Sequence, residues 1–543
     1  MQKSHLIGFW AYIALVYLIG IIWVDIMDVD AAQYASISQE MYQSGSWLEV
    51  KHKYSNYLDK PPLLFWLSAF FYQIFGVNQI AYRLPTLLST VLGLFATYRL
   101  GEKLYNKESG QIAALTLATT QAWFLFNHDI RTDTLLSNFV IVAIWQLYVY
   151  IEDRKWSNFF LGFAAIGLAM LAKGPIGIVI PAMALGSYLL GRRAWRKILD
   201  PKWLLGIVVV LIVLSPMLYG LWTQWGAKGI YFFFWEQSFG RITGENVWRD
   251  NSGPFFFTHT FLWAFLPWSI FALWALGRRM VDFWNKGAVR EMLTLSGFVL
   301  PFIALSFSKY KLPHYIFPIF PLMAIMVAHE IHQLRQGNKG ITYKAFFGGQ
   351  LFLNVLIWVL MVLLCVFVFP TTNWALWLLI ISSFAAYLYY LLAPKLADMR
   401  LISPTIIAFV SLNLVLNAHF YPTLLQYQSG SQAARFILKN KIPTEEVAVF
   451  GLYPNSLDFY MHDIAQIFEK PEILIRAVAE HPLWIFTNEK GKQSLENSGA
   501  IIEQSIEFDH FHVTKLSLKF LNPARRASQV GKAYLLRVTG VLG

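Results

Sequence analysis

Long apolar runs recur through most of the first 420 residues, separated by short polar breaks. Within a run the apolar residues fill every side of a helix rather than one stripe, which is the pattern of a helix facing lipid. The runs predict spans near 6–24, 82–100, 109–127, 134–151, 157–172, 174–190, 203–220, 259–277, 290–306, 314–333, 345–370, 374–392 and 401–419. Each is close to the length that crosses a hydrocarbon core of roughly 30 Å. The run 62–75 is too short and opens with Pro61 and Pro62, so it reads as an interfacial or re-entrant helix. The run 6–24 lacks a small-x-small cleavage site before the acidic stretch that follows, and reads as a retained span. After residue 419 the chain turns polar. There Val447–Phe450 and Leu483–Phe486 read as short buried strands between helical segments. The expected fold class is an α-helical polytopic membrane protein of about 13 transmembrane helices with a small C-terminal α/β domain. The expected organisation is a transmembrane domain over 1–420, the α/β domain over 421–520, and a basic flexible tail over 521–543 carrying Arg525, Arg526, Lys532 and Arg537. Heptads, low-complexity tracts and short-period repeats are not evident.

Composition sharpens this picture. Of 543 residues, 56% are hydrophobic and 14% charged, against about 25% charged in a soluble domain. Too few polar groups exist to cover a water-facing globule, so much of the surface faces lipid. The net charge of +12 would suggest nucleic acid in a soluble protein. Here the basic residues lie in short loops, so they report topology and phosphate contact, and no nucleic-acid partner is expected. With the N-terminus inside, Lys103 and Lys107, Arg154 and Lys155, Arg192 and Arg193, Arg278 and Arg279, Arg335 and Lys339, and Lys395 and Arg400 all fall inside, as the positive-inside rule requires. Thirteen spans then put the C-terminal domain outside. Cys365 is the single cysteine, which excludes an internal disulfide and a cysteine-built zinc site.

The outward segments are the long first loop 25–81, the long loop 221–258, and short ones at 128–133 and 307–313. Such loops should be poor in Lys and Arg, yet Lys51, Lys53, Lys60, Arg83, Arg131, Arg241, Arg249, Lys309 and Lys311 lie in them. Phosphate oxygens at the outer leaflet would compensate these charges. Snorkelling to headgroups accounts for Lys51 and Lys53, whereas Lys60, Arg131 and Lys309 read as functional. Asp25, Asp28 and Asp30 open the first loop, and the helical stretch 31–44 follows. Asp30 could be an N-cap, but three acids in six positions exceed what one cap needs, and they could serve as a base or hold a cation. Asp59-Lys60-Pro61-Pro62 would hold Lys60 rigidly at the membrane surface. Asp129, Arg131 and Asp133, squeezed between two spans, are either an Arg131–Asp133 pair or a site. Lys173 lies in an outward hairpin, on lipid phosphate or snorkelling. His329, Glu330 and His332 are metal-like in spacing but fall at an inner helix end, and read as topology and surface.

These motifs carry a resemblance. Asp30…Tyr34, Asp59-Lys60-Pro61-Pro62-Leu63, Arg131-Thr132-Asp133 and Ser308-Lys309…Pro313-His314-Tyr315 stand in the order typical of C-type membrane glycosyltransferases. The chain resembles the bacterial branch of the dolichyl-phosphate-mannose protein mannosyltransferase family, which includes lipid A aminoarabinose transferases. The resemblance covers about 1–420. It implies a C-type glycosyltransferase fold in the bacterial inner membrane, with the N-terminus cytoplasmic and the C-terminal domain periplasmic. It implies Asp30 and Asp133 as catalytic carboxylates, and Lys60, Arg131 and Lys309 as cations on the donor phosphate. Asp28, Tyr34, Asp59, Glu236, Arg241, Tyr310 and His314 would line the substrate cavity. Glu236-Gln237…Arg241 looks like the family's Glu-His…Arg element, with Gln237 where His is common, and Asp59 stands where Glu is common. No metal ligand is assigned, although a divalent cation is compatible with the family pattern.

The implied reaction moves a sugar, with inversion, from a polyprenyl-phosphate donor to a lipid, protein or glycan acceptor at the outer face. A phosphate leaves readily as an anion, so the site needs positive charge beneath it more than a protonating acid. A hydroxyl acceptor needs a base, for which Asp30 is the candidate. The alternative class is a polytopic transporter or flippase of lipid-linked saccharide. Such proteins place their charges near the midplane and often show repeat halves, whereas here charge gathers at the outward face.

Overall fold

The computed structural model describes residues 3–237, 240, 252–286, 292–337 and 340–541. The membrane region is built from helices α1 (Lys3–Trp23), α2 (Asp30–Ser44), α3 (Leu63–Phe75), α4 (Gln79–Leu104), α5 (Lys107–Ala118), α6 (Gln121–His128), α7 (Thr132–Asp153), α8 (Trp156–Lys173), α9 (Ile176–Gly191) and α10 (Lys202–Trp225). After these come α11 (Phe256–Ala264), α12 (Ser269–Lys286), α13 (Met292–Ser306), α14 (Phe320–Gln336), α15 (Ile341–Leu363), α16 (Trp374–Leu392) and α17 (Ser403–Val415). Among the described residues nine helices are long and apolar enough to cross a membrane, or ten if the bent pair α11–α12 counts as one. The chain is therefore a multi-pass membrane protein.

Several expected spans are not single straight helices. The run 109–127 breaks between α5 and α6, where the Thr119 and Thr120 hydroxyls bond back to the Leu115 and Leu117 carbonyls at 2.6 and 2.8 Å. Such back-bonding competes with the helix ladder. The run 259–277 bends by 120° between α11 and α12. The two breaks interlock: Trp268 Nε1 donates to Thr119 Oγ1 at 2.9 Å, and the Gln121 amide donates to the Leu266 carbonyl at 3.0 Å. Gln350 Nε2 reaches the Pro267 carbonyl at 3.2 Å. Polar groups freed inside the bundle thus satisfy one another, which is the condition for broken helices at membrane depth. The expected surface reading of His329, Glu330 and His332 does not hold. Glu330 and His332 are buried, Glu330 pairs with Arg279, and the His329 ring stacks on Tyr105 at 3.9 Å. These groups stay buried because each meets a partner on a neighbouring segment, His332 meeting Glu108 at 3.3 Å.

Arg83, fully buried near the start of α4, ties the ends of α1 and α6 together. Its guanidinium donates to the carbonyls of Ile21 at 2.9 Å, Val24 at 2.6 Å, Asp25 at 3.1 Å and His128 at 3.0 Å. Ile21 lies in the last turn of α1 and His128 ends α6, where carbonyls lack a donor in their own helix, and Val24 and Asp25 follow α1 directly.

Beyond α17 the chain forms a five-stranded sheet of β3 (Val447–Phe450), β4 (Gln466–Phe468), β5 (Leu483–Asn488), β6 (Ala500–His510) and β7 (Gly531–Val541), ordered β4-β3-β5-β7-β6. A small hairpin, β1 (Lys51–His52) with β2 (Ser55–Asn56), lies in the first loop. Strands β3, β4 and β5 are parallel, while β7 runs antiparallel to β5 and β6. Helices α18 (Ser429–Lys439) and α19 (Asn455–Met461) cover one face, and the helices Pro471–Glu480 and Glu489–Asn497 cover the other. The expected flexible tail over 521–543 is overturned, because β7 occupies the interior of the sheet. Ala533 and Leu535 enter one core, and Tyr534, Leu536 and Val538 the other. Basic flanks disguise this short apolar run, and those flanks are themselves paired, Lys532 with Asp509 at 2.8 Å and Arg537 with Glu503 at 3.1 Å.

This C-terminal unit sits on the first loop. Gln428 bridges the Asp28 amide and the Ile26 carbonyl, both at 2.9 Å, and Tyr460 accepts from the Ile26 amide at 2.7 Å. Arg435 pairs with Asp25 at 2.5 Å. The Asp28 carboxylate accepts from the Ser456 amide at 2.9 Å and from the Ser456 hydroxyl. Lys53 does not snorkel but pairs with buried Asp458 at 3.1 Å. It shares a turn with Tyr54, both at positive φ, and Glu40 accepts from both amides at 2.8 Å, which offsets the strain of left-handed non-glycine residues. Burial pushes the Asp28 carboxyl up to about 6, with Asp458 adding to the rise while the Ser456 bonds and Lys53 oppose it.

Two outcomes follow. Arg83→Met would leave four buried carbonyls without donors and lower stability by about 3 kcal/mol or more. Arg99→Met, half-exposed on the same helix, would change it by less than about 0.5 kcal/mol, as thermal unfolding in detergent would report. An acid whose docked pKa is raised favours docking while protonated. Docking should therefore be strongest below the usual 3.8 and weaken as pH rises through about 6. Hydrogen exchange of Asn455–Met461, corrected for intrinsic rate, should show protection falling across that window, and Asp28→Asn should flatten the fall. Asp458, also raised by burial beside Lys53, leaves a residual slope.

Candidate active site

At the end of the bundle next to the first loop, α7, α8, α9 and α13 converge with Lys60, Gln237, Ser308 and Tyr315 around a cavity of about 190 Å³. Its walls are apolar, with Leu136 from α7, Val179 and Met183 from α9, and Leu305 from α13. Its rim is polar: Lys60, Asp133, Lys173, Gln237, Ser308 and Tyr315. An amphiphile with an anionic head and a hydrocarbon tail has the matching polarity.

Lys60 stands just before the Pro61-Pro62 pair that leads into α3. Its ammonium contacts the Asp59 carboxylate, and Gln237 donates to the Asp59 carbonyl. Lys60 also lines a smaller adjoining cleft under the first loop. That loop is held against α10 by Gln224, which accepts from the Val50 amide at 3.2 Å and donates to the Val50 carbonyl at 3.1 Å. Gly220 permits this approach, since an added methyl would lie 2.0 Å from the Leu48 carbonyl.

Asp133 lies in the first turn of α7, almost fully buried, where the helix N-terminus favours a carboxylate. It contacts the Lys173 ammonium, and His314 Nε2 lies 3.5 Å away. Lys173 ends α8, and its ammonium also lies 3.9 Å over the Tyr315 ring. Arg131 precedes α7. It does not pair with Asp133, as one reading of the motif held, but donates to Asp30 at 2.5 Å and to Asp129 at 3.2 Å. Asp30 is no N-cap: Val29 holds that position without a capping bond, and Asp30 is the first residue of α2. Tyr34, one turn on, is buried among Asp30, Tyr57, Arg131 and Asp59. Burial and the nearby carboxylates push its hydroxyl well above the ordinary tyrosine range. Two clusters, Asp30–Arg131–Asp129 and Asp133–Lys173–His314, thus flank one short stretch of chain beside Lys60.

The other expected positions are placed less centrally. Lys309 is exposed and does not line the cavity, whereas the neighbouring Ser308 does. Tyr310 is half-buried, its carbonyl accepts from Ser308 Oγ at 3.1 Å, and its ring lies 6.3 Å from that of Tyr315. Lys311 is buried and donates to the Ser252 carbonyl at 2.9 Å. Asp28 is engaged with Ser456 in the docking contact. Glu236 closes a π turn, half-buried next to Gln237, while Arg241 and Arg249 lie outside the described residues. Lys173 and Tyr315 are the cavity residues the motifs underweighted. Lys173-Gly174-Pro175 carried the signal, an outward lysine against the charge bias, but its partner lies 40 residues away. Among the described residues no three His, Cys, Asp or Glu side chains converge as metal ligands.

Residues 59–220 match the dolichyl-phosphate-mannose-protein mannosyltransferase family. A relative from Pseudomonas savastanoi pv. phaseolicola, undecaprenyl phosphate-alpha-4-amino-4-deoxy-L-arabinose arabinosyl transferase, is 28% identical over 56% of this chain and 57% of its own length. A protein of the same description from Pseudomonas aeruginosa (strain LESB58) is 28% identical over 53% of this chain and 52% of its own. The chain thus spans little more than half the length of the curated relatives it matches. The crystal structure of ArnT from Cupriavidus metallidurans bound to undecaprenyl phosphate superposes with a TM-score of 0.77 at 18% identity, covering 99% of this chain and 98% of that one. The apo structure of the same protein gives 0.76 at 17% identity. Residues 59–220 therefore resemble the dolichyl-phosphate-mannose-protein mannosyltransferase family, and the chain as a whole shares the fold of the ArnT structure from Cupriavidus metallidurans.

Proposed function

We propose that the protein is an inverting glycosyltransferase that moves a sugar from a polyprenyl-phosphate donor to an acceptor at the outward membrane face. The observation that carries the reading is the apolar cavity roofed by Lys60 and Lys173. The polyprenyl tail lies between α7, α9 and α13, and the phosphate sits under the two ammonium groups. Each ammonium is now held by a carboxylate, Lys60 by Asp59 and Lys173 by Asp133. The donor phosphate takes over both cations without leaving them bare in its absence. Positive charge at this point stabilises the departing phosphate more than the intact donor, which is what lowers a barrier.

In the displacement an acceptor oxygen attacks the anomeric carbon from the side opposite the phosphate. The carbon–oxygen bond to phosphate breaks, and its electron pair leaves with the phosphate. If the acceptor is a hydroxyl, its proton passes to Asp30, which Arg131 holds in place. If the acceptor is itself a phosphate, as on lipid A, no proton moves and Asp30 orients the acceptor. Gln237, standing where relatives commonly carry His, fastens the Asp59 backbone behind Lys60. The aminopentose on undecaprenyl phosphate, named in the relatives, is the first donor to test, and lipid A the first acceptor, ahead of protein and glycan. The reading places the protein in the bacterial inner membrane, with the N-terminus cytoplasmic and the C-terminal unit periplasmic.

Proteoliposomes given labelled undecaprenyl-phosphate sugars and a membrane extract should transfer label. Asp30→Asn should slow turnover by about 10²-fold or more with a hydroxyl acceptor. Lys60→Ala should lower kcat/KM by about 10²-fold, and Lys309→Ala by far less. No transfer from a broad donor panel, or equal rates in all three variants, would remove the reading and turn attention to lipid-linked saccharide flux.

A further inference from the structure

Between β6 and β7 the chain leaves the sheet, and residues 511–530 run against the outward end of the span that α15 begins. The contact is specific. Arg526 donates to the Val368 carbonyl at 2.5 Å and lies 4.3 Å over the Phe369 ring. Phe520, fully buried, stacks on Phe511 at 3.8 Å and meets Tyr427 edge-on at 5.3 Å. Pinned by these rings, the segment turns Leu518 outward, 86% exposed, with Leu516 also exposed. Lys515, Lys519 and Arg525 are exposed beside them. The stretch 511–530 contains no Asp or Glu.

A single bare leucine carries little information. Here the bare leucines continue an apolar surface. Val366 and Phe367 on the adjoining span, and Trp374 at the start of α16, are exposed at the same end of the bundle. Those residues face the lipid that surrounds the spans, so Leu516 and Leu518 lie at the hydrocarbon boundary. Cations on long aliphatic stems around an apolar tip are the pattern of a segment lying in the headgroup zone, with its charges on phosphate and its apolar side chains below.

We propose that residues 511–530 are a membrane foot for the C-terminal unit. Leu516 and Leu518 enter the acyl boundary of the outward leaflet, and Lys515, Lys519 and Arg525 hold anionic lipid headgroups. The foot is independent of the glycosyl-transfer reading. It fixes the height of the unit that also holds Asp25, Ile26 and Asp28 of the first loop, so the membrane and the candidate site bear on the same unit.

The test uses the full-length protein in nanodiscs holding one copy. Cys365, the single native thiol, is replaced by Ala, and an environment-sensitive fluorophore is placed at Leu518→Cys or, as a control, at Lys490→Cys in the helix Glu489–Asn497. Lipids spin-labelled high on the acyl chain should quench the fluorophore at 518 and not at 490. Quenching should deepen when phosphatidylglycerol replaces part of the phosphatidylcholine, since each cation near an anionic surface favours the bound state roughly fivefold. Charge reversal of Lys515, Lys519 and Arg525 to Glu should abolish the dependence on phosphatidylglycerol. Absence of quenching at 518 in both lipids overturns the foot, and equal quenching in both overturns its recognition of anionic headgroups.

Discussion

The end of the bundle that carries the first loop is organised by one buried guanidinium. Where α1 and α6 end, carbonyls of their last turns lack helical donors, and Arg83 donates to those of Ile21 and His128 and to those of Val24 and Asp25 just past α1. A charge so placed is costly alone and tolerable only with every N–H directed at an acceptor. The consequence reaches past stability. The chain leaves α1 toward Asp25, Asp28 and Asp30, and leaves α6 toward Asp129, Arg131 and Asp133. Holding both exits at one point lets Arg131 find Asp30 across 101 residues of sequence. The carboxylates and cations of the cavity inherit their positions from this junction.

The same junction explains why the C-terminal unit bears on the site. Asp25 and Asp28, the residues next out of α1, face away from the cavity and toward Arg435 and Ser456. Asp30, two positions on, faces Arg131. The backbone between them cannot move for one contact without disturbing the other. The C-terminal sheet and its helices are thus part of what fixes the first loop.

Much of this was legible in the sequence because of what it violates. Lysines and arginines in outward loops run against the orientation rule, and Lys60 and Arg131, singled out on that ground, do stand at the cavity or beside it. The run 62–75 was set apart by its two prolines and its length, and α3 is among the apolar helices shorter than 18 residues. Pairings across distant segments were not legible. Nothing local to Lys173 announces Asp133, and nothing local to Lys53 announces Asp458. The breaks at Thr119–Thr120 and between α11 and α12 were hidden because hydropathy reports apolar length and not the side-chain bonds that interrupt a ladder. Strand β7 was hidden by its basic flanks, whose charges are matched only by residues on β6. Lys309 marks the opposite error, a motif residue whose neighbour Ser308, not its own side chain, reaches the cavity.

The central claim is that Lys60 and Lys173 exchange their carboxylate partners for a lipid-borne phosphate. A structure determined with undecaprenyl phosphate bound tests it most directly. Phosphate oxygens are expected within hydrogen-bonding distance of both ammonium groups, with the tail between α7, α9 and α13 and the Lys60–Asp59 and Lys173–Asp133 contacts lengthened. A phosphate bound elsewhere, or bound while both ion pairs remain closed, would contradict it.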